Sequence, residues 1–297
     1  MKKTLSTLLL AAAPLAAGAQ EAAAPALFSY KVGAYEVMLL PETQGRGNAS
    51  ILIGATPGMM AETMPEGTYP NAVNAFAVKT PGSGILLFDT GFGRHLFEHL
   101  SQVGIAPEAI DTLVITHLHG DHIGGMLVGG KRAFPRARLL LSEVEKNYWV
   151  DRQQQAAATK AVEAYAANTT LLMPQSLEEL AALLETAGDV RMKDGLYWVA
   201  APGHTPGHTV CLLQSEGSRL LIWGDLAHAM AVQMPYPEVS VRYDTDPAMA
   251  AATRKHILHL AAKHQIPVAG MHIAYPGIGT IEENGAGGYR FLPVPHP

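Results

Sequence analysis

The segment His117-Leu118-His119-Gly120-Asp121-His122 places four metal-binding side chains within six positions, directly after the apolar run Leu113-Val114-Ile115-Thr116. Side chains at i and i+2 of an extended chain face the same way. His117 and His119 can therefore reach one ion together. Gly120 lets the chain turn, so Asp121 and His122 can address a neighbouring ion. Imidazole nitrogens combined with carboxylate oxygens suit zinc, iron, cobalt or manganese rather than calcium. Two such ions sharing a water lower its pKa toward neutrality and polarise a carbonyl or phosphoryl oxygen, so hydrolysis needs no Ser or Cys nucleophile.

Two ions need more ligands than one loop holds, and three further segments offer them. Gly203-His204-Thr205-Pro206-Gly207-His208-Thr209 is a histidine-bearing turn between the apolar stretches Trp198-Val199-Ala200-Ala201 and Val210-Cys211-Leu212-Leu213. Leu220-Leu221-Ile222-Trp223-Gly224-Asp225 is an apolar run ending in a carboxylate, and Pro267-Val268-Ala269-Gly270-Met271-His272 is one ending in a histidine. All of these candidates sit where a strand gives way to a loop, which is where sites are usually built.

The order His-x-His-x-Asp-His, then the turn, then Asp, then His resembles the metallo-β-lactamase superfamily of dinuclear hydrolases. Within it the chain resembles the methyl parathion hydrolase branch, which is itself similar to the acyl-homoserine-lactone lactonases. Three segments carry that likeness: Gly203 to Thr209, Ala231-Val232-Gln233 with Pro237-Glu238-Val239, and Tyr275-Pro276-Gly277-Ile278-Gly279 with Gly288-Tyr289-Arg290-Phe291. The resemblance implies an αβ/βα four-layer sandwich, with two mixed sheets flanked by helices. It implies two divalent ions, with zinc expected first and iron, cobalt or manganese as alternatives. His117, His119 and His208 would ligate the first ion. Asp121, His122 and His272 would ligate the second, with Asp225 bridging. Asp121 would also steer the hydroxide or shuttle a proton, and Asp89 would support the metal loop. His204 reads as a hydrogen-bonding partner of the ligands rather than a ligand. His228 occupies a position, three residues after the bridging Asp, where similar lactonases often carry Tyr. A histidine there can donate a hydrogen bond, act as general acid, or merely support its neighbours.

The implied function is hydrolysis of lactones or esters of the acyl-homoserine-lactone type, with organophosphate triesters as further substrates. Hydrolysis of β-lactams or thioesters is the alternative within the superfamily. A bridging Asp225 counts against the former, and the segments 231–239 and 275–291 count against both. A metal-binding protein without turnover would be expected to lack a ligand. The partner is a small molecule, and the resemblance admits a homodimer.

The composition agrees. The chain has 297 residues, 48 % hydrophobic and 16 % charged, which is globular rather than disordered. A net charge of −5 and a pI near 6.2 give no footing for nucleic acid. Met1-Lys2-Lys3, the apolar stretch from Leu5 through Ala17 and the small residues Ala17-Gly18-Ala19 form a signal-peptide pattern. Residues 1–19 are thus expected to be removed and 20–297 to form one hydrolase domain, periplasmic or secreted, with no membrane anchor after removal of the leader. Cys211 is the only cysteine, so no intramolecular disulfide is expected.

The positioning elements can be sketched from pattern. Phe28 to Leu40 reads as two strands around Gly33, and residues 41–70 as a long loop or arm. Ala75–Lys79 and Ile85–Asp89 read as a hairpin, and residues 94–103 and 107–111 as helical. Residues 142–187 suggest a helical insertion over the site, with the capping-box pattern Ser176-x-x-Glu179 opening its last helix. Asp246-Pro247 begins a helix running to about Gln265. His95, His99, His256, His259 and His264 read as solvated helix faces, and His296 as part of the tail. Phe92, Trp149, Met230 and Tyr275 lie near the motifs and are candidate pocket residues.

Overall fold

The computed structural model describes residues 27–82, 84–185 and 196–296. The leader pattern lies outside the described residues. Seven strands form the first sheet in chain order: Phe28–Val32, Tyr35–Asn48, Thr68–Thr80, Gly84–Phe88, Thr112–Val114, Arg138–Ser142 and Thr169–Leu172. Six form the second, also in chain order: Leu196–Ala200, Thr209–Ser215, Ser218–Ile222, Val268–Ala269, Ile278–Glu283 and Tyr289–Pro293. Both sheets are mixed, with parallel pairing confined to the later strands of the first sheet and to Ser218–Ile222 beside Val268–Ala269.

Side-chain alternation builds the layers. Val37, Leu39, Phe76, Val78, Phe88 and Val114 meet Cys211, Leu213, Leu220, Ile222 and Ala269 in the core between the sheets. Their neighbours Met38, Leu40, Ala75, Ala77, Leu87 and Leu113 face the opposite way. There they pack with Leu96 and Leu100 of the helix Leu96–Gln102 and with Val162 of the helix Ala156–Ala164. On the far side, Leu212 and Leu221 meet Leu180 and Leu184 of the helix Leu177–Glu185 and Ile257 and Leu258 of the helix Pro247–Lys263. Strands apolar on both faces demand cover on both faces, and the result is the four-layer αβ/βα sandwich.

Helix starts follow local chemistry. The Asp246 side chain accepts from Met249 N at 3.0 Å, with Pro247 in the first turn. Ser176 and Glu179 exchange bonds of 2.7 and 3.2 Å as a capping box.

Three expectations change. Residues 41–70 form an arm rather than a loop. The strand from Tyr35 continues to Asn48, past an irregularity between Pro41 and Thr43, and pairs with Thr68–Thr80 as far as Asn48 opposite Thr68. Residues 49–67 leave the pairing, with Leu52–Ile53 joining Ser240–Val241 and Pro57–Thr63 forming a short helix. The described part of the expected insertion, residues 142–185, is not wholly helical, since Thr169–Leu172 closes the edge of the first sheet. His99 is buried beside Leu96 and Leu100 rather than solvated, and burial lowers its pKa. Its neighbour His95 is exposed, as expected.

Candidate metal centre

The chemistry-bearing loops leave the C-terminal ends of parallel strands, the edge at which open α/β sheets build sites. Gly84–Phe88 delivers Asp89, Thr112–Val114 delivers the loop from His117, Ser218–Ile222 delivers Asp225, and Val268–Ala269 delivers His272. The site therefore draws on both sheets.

Asp225 stands at the centre. Its Oδ1 lies 3.2 Å from His122 Nε2. Its Oδ2 lies 3.1 Å from His272 Nε2, 3.2 Å from His204 Nε2, 3.1 Å from His228 Nε2 and 3.5 Å from His117 Nε2. One group able to hold an ion comprises His117, His119, His204 and Asp225. A second comprises Asp121, His122 and His272, and Asp225 also groups with His228 and His272. His204 Nε2 is 2.9 Å from His119 Nδ1 and 3.2 Å from His117 Nε2, so three ring nitrogens converge at a spacing typical of shared ligation rather than of bonding to one another.

The turn at 203–209 corrects the reading of its two histidines. His208 stays outside these groups because backbone claims both of its ring nitrogens. Nδ1 donates to Ala201 O at 2.9 Å, and Nε2 accepts from Asp225 N at 3.0 Å. His208 therefore holds the Asp225 backbone. His204 takes the inward place, its Nδ1 donating to Asp244 Oδ1 at 2.8 Å while Nε2 points at the cluster. That carboxylate–imidazole pairing is the usual support of a ligating histidine.

The other inward rings are oriented in the same way. His122 Nδ1 is fixed on Asp89 Oδ2 at 2.7 Å, and His272 Nδ1 on Ala72 O at 2.7 Å. Asp89 also accepts from Thr116 N and Thr116 Oγ1, each at 2.8 Å, which ties the metal loop to the preceding strand. This is the supporting place expected of it. Sequence reasoning missed Glu145. Its buried carboxylate accepts from Leu118 N at 2.9 Å, Thr205 Oγ1 at 2.7 Å and Gly207 N at 3.0 Å. It thus fastens the 117–122 loop to the 203–209 turn. Its position in the helix Glu143–Lys146, remote from both motifs, gave no signal.

Electrostatics reflect six imidazoles around few carboxylates. Burial, reinforced by the charge on His204, takes His119 down to about 3. Burial works against charge on His204 too, but its bonds to Asp225 and Asp244 carry it up to about 9. Burial likewise opposes ionisation of Asp121 and Asp225, yet the surrounding imidazoles outweigh it and hold both carboxyls below the usual range. The donor set fits divalent ions. Nε2 of His122 and Oδ1 of Asp225 are sealed from water without a hydrogen-bond partner, a costly state for buried polar atoms that ligation would relieve. The buried His/Asp groups are consistent with a dinuclear metal site.

A cavity of about 700 Å³ opens onto Asp121, His119, Asp225, His228 and His272. Phe92 lines it, as expected. Trp149 instead packs edge-on against His119, ring centroids 5.3 Å apart. Met230 and Tyr275 line a different, apolar cavity of about 590 Å³.

Known proteins place this geometry. Residues 68–264 match the family model described as the metallo-beta-lactamase superfamily. A mouse (Mus musculus) protein, metallo-beta-lactamase domain-containing protein 1, is 35 % identical over 123 residues, which cover 37 % of this chain and 45 % of that protein. The match thus spans less than half of that relative. Among solved structures, the hydrolase AbOPH of the beta lactamase superfamily superposes with a TM-score of 0.78 at 25 % identity, covering 91 % of this chain and 98 % of the other. AidC, a dizinc quorum-quenching lactonase, gives a TM-score of 0.78 at 23 % identity over 91 % and 98 % of the two chains, a likeness of fold. With the family model spanning most of the fold and the ligand-bearing loops at its shared edge, the chain belongs to the metallo-beta-lactamase superfamily.

Proposed function

We propose that the protein is a dinuclear metal-dependent hydrolase of uncharged lactones and esters, of the N-acyl homoserine lactone kind, with uncharged phosphotriesters as a second class. The observation that carries this reading is the charge of the cavity wall. Among the described residues that line it, none is Lys or Arg. Beyond His119, Asp121, Asp225, His228 and His272, the polar lining is Thr43, Asn48, Ser50 and Asn71, and Ile51, Val73, Tyr69, Phe92 and Tyr243 add an apolar or aromatic wall. Arg94 stacks on the Phe92 ring, 4.9 Å from its centroid, without entering the lining. Asp121 and Asp225 would offset part of the charge that two ions bring. What the wall lacks is a cation to hold a second charged group, such as a carboxylate beside a β-lactam ring or on a peptide thioester. An unpaired buried charge is costly, so an uncharged electrophile suits the cavity best.

Bound divalent ions would supply Lewis acidity and an activated water. His117, His119 and His204 would hold one ion, and Asp121, His122 and His272 the other, with Asp225 between them. Asp121 lines the cavity as well as facing His122 and His272, at 3.7 and 3.5 Å. Its carboxylate stays ionised near neutral pH and can receive a proton there. Burial takes His228 down to about 4, so this imidazole is neutral at working pH. That favours the supporting reading of His228 over the general-acid one, its Nε2 standing 3.1 Å from Asp225 Oδ2. Export to the periplasm or beyond, which the Met1–Ala19 pattern leads us to expect, belongs to the same proposal.

The test is a side-by-side assay of the metal-reconstituted protein on an N-acyl homoserine lactone, an aryl ester, a phosphotriester and the β-lactam nitrocefin, with Asp225→Ala as control. Turnover of the first three groups, lost in the variant, is expected. Turnover of nitrocefin alone would overturn the reading.

A further inference from the structure

Tyr69 is 1 % exposed, and its ring packs in a small apolar cluster with Met64, Ala229 and Val232. It lines the cavity that opens onto His228 and Asp225. Its hydroxyl has no hydrogen-bond partner among the described residues. A buried tyrosine normally finds a partner for its hydroxyl. An unpartnered one on a cavity wall is a donor held ready for something that enters.

The fold goes to some length to put it there. Tyr69 sits opposite Gly47 across the paired strands. A Cβ on Gly47 would lie 2.4 Å from the ring Cζ and 2.6 Å from the hydroxyl oxygen. Only glycine lets the ring lie across its partner strand. Across the cavity wall, Tyr243 stands 6.1 Å from the His228 ring, centroid to centroid. Burial, with Tyr243 adding to it, pushes the Tyr69 phenol up to about 12, so it remains a donor throughout the working pH range.

We propose that the Tyr69 hydroxyl, positioned by Gly47, is a substrate-binding donor that holds an uncharged carbonyl oxygen of the lactone or ester. This rests on the functional reading above and adds a residue to it. A neutral phenol donating to a neutral acceptor matches a cavity wall without cations. The expected contribution is that of one such bond, on the order of ten-fold.

The experiment compares wild type, Tyr69→Phe, Gly47→Ala and the double variant. Four quantities are measured: kcat and KM on the substrate panel, metal content, Tm, and calorimetric binding of the γ-lactam analogue of an N-acyl homoserine lactone, which is uncharged and resists hydrolysis. Tyr69→Phe should lower kcat/KM about ten-fold, mainly through KM, and weaken lactam binding to match. Metal content should not change, and Tm should hold or rise, because the lost hydroxyl had no partner. Gly47→Ala should fall in the same direction and add little in the Tyr69→Phe background. Unchanged binding and kinetics in Tyr69→Phe would overturn the proposal, as would a loss accompanied by falling Tm or metal content. Lactam binding that depends on Tyr69 in a protein that turns over none of the neutral substrates would uphold the donor and overturn the hydrolase reading. Absence of both binding and turnover in wild type would overturn the two together.

Discussion

In the loop after Thr112–Val114, His117 and His119 both turn toward Asp225. In the turn after Leu196–Ala200, only His204 does so, while His208 turns back onto backbone. The residue types are the same and the difference is in the path of the chain. The first pair is spaced i, i+2 on an extended segment, and that periodicity puts both rings on one side. The second pair is separated by a Thr-Pro-Gly turn, so the two rings leave the chain in different directions. One is received by Asp244 and the cluster, the other by Ala201 O and Asp225 N. Spacing therefore identifies ligands only where the backbone between them is regular.

The strongest way to break this comparison is to remove what the two segments share. Asp225→Ala should lower turnover by more than about 10³-fold, and chelation of the wild type should lower Tm, because an ion that binds only the folded chain stabilises it. An unchanged Tm after chelation would mean that the loops are joined without metal.

The next test separates the two histidines of the turn. His204→Ala should lose an equivalent of bound metal by elemental analysis. His208→Ala should retain both ligand groups but bind metal about 10- to 100-fold more weakly, as expected of a supporting residue. The reverse result would restore His208 as the ligand.

Glu145→Gln sharpens the comparison at the fastening point. An amide would turn one donor toward N–H groups that need acceptors. The expected cost is about 1–3 kcal/mol in denaturant unfolding, with metal affinity weakened in both loops rather than one. Thr205→Val removes a single donor to that carboxylate and should cost about 1 kcal/mol with metal stoichiometry unchanged. A larger effect on metal than on stability would place Thr205 closer to the ligands than the hydrogen bonds do.

The sequence made much of this legible. Long apolar runs ending in His or Asp pointed to strands delivering ligands at one edge, and Asp246-Pro247 and Ser176-x-x-Glu179 marked helix starts by mechanisms local to a few residues. What stayed hidden depends on distant parts of the chain. Gly45, Gly47, Pro41 and Pro70 argue against strands by propensity, yet pairing from Tyr35 to Asn48 overrides them, and Gly47 is required because Tyr69 crosses it. His99 lies among charged neighbours in sequence but on the inward face of its helix. Glu145 and Asp244 support ligands from elements whose own motifs say nothing of metal.

The Glu145 carboxylate joins a loop of the first sheet to a turn of the second, 85 residues apart from His119 to His204. A chain that has folded only its first half owns His117, His119, Asp121 and His122 but lacks His204, Asp225 and His272, so neither the group around His117 nor the group around Asp121 is complete. Any ion that needs the full set would find it only with the two sheets docked, since each of these two groups draws residues from both.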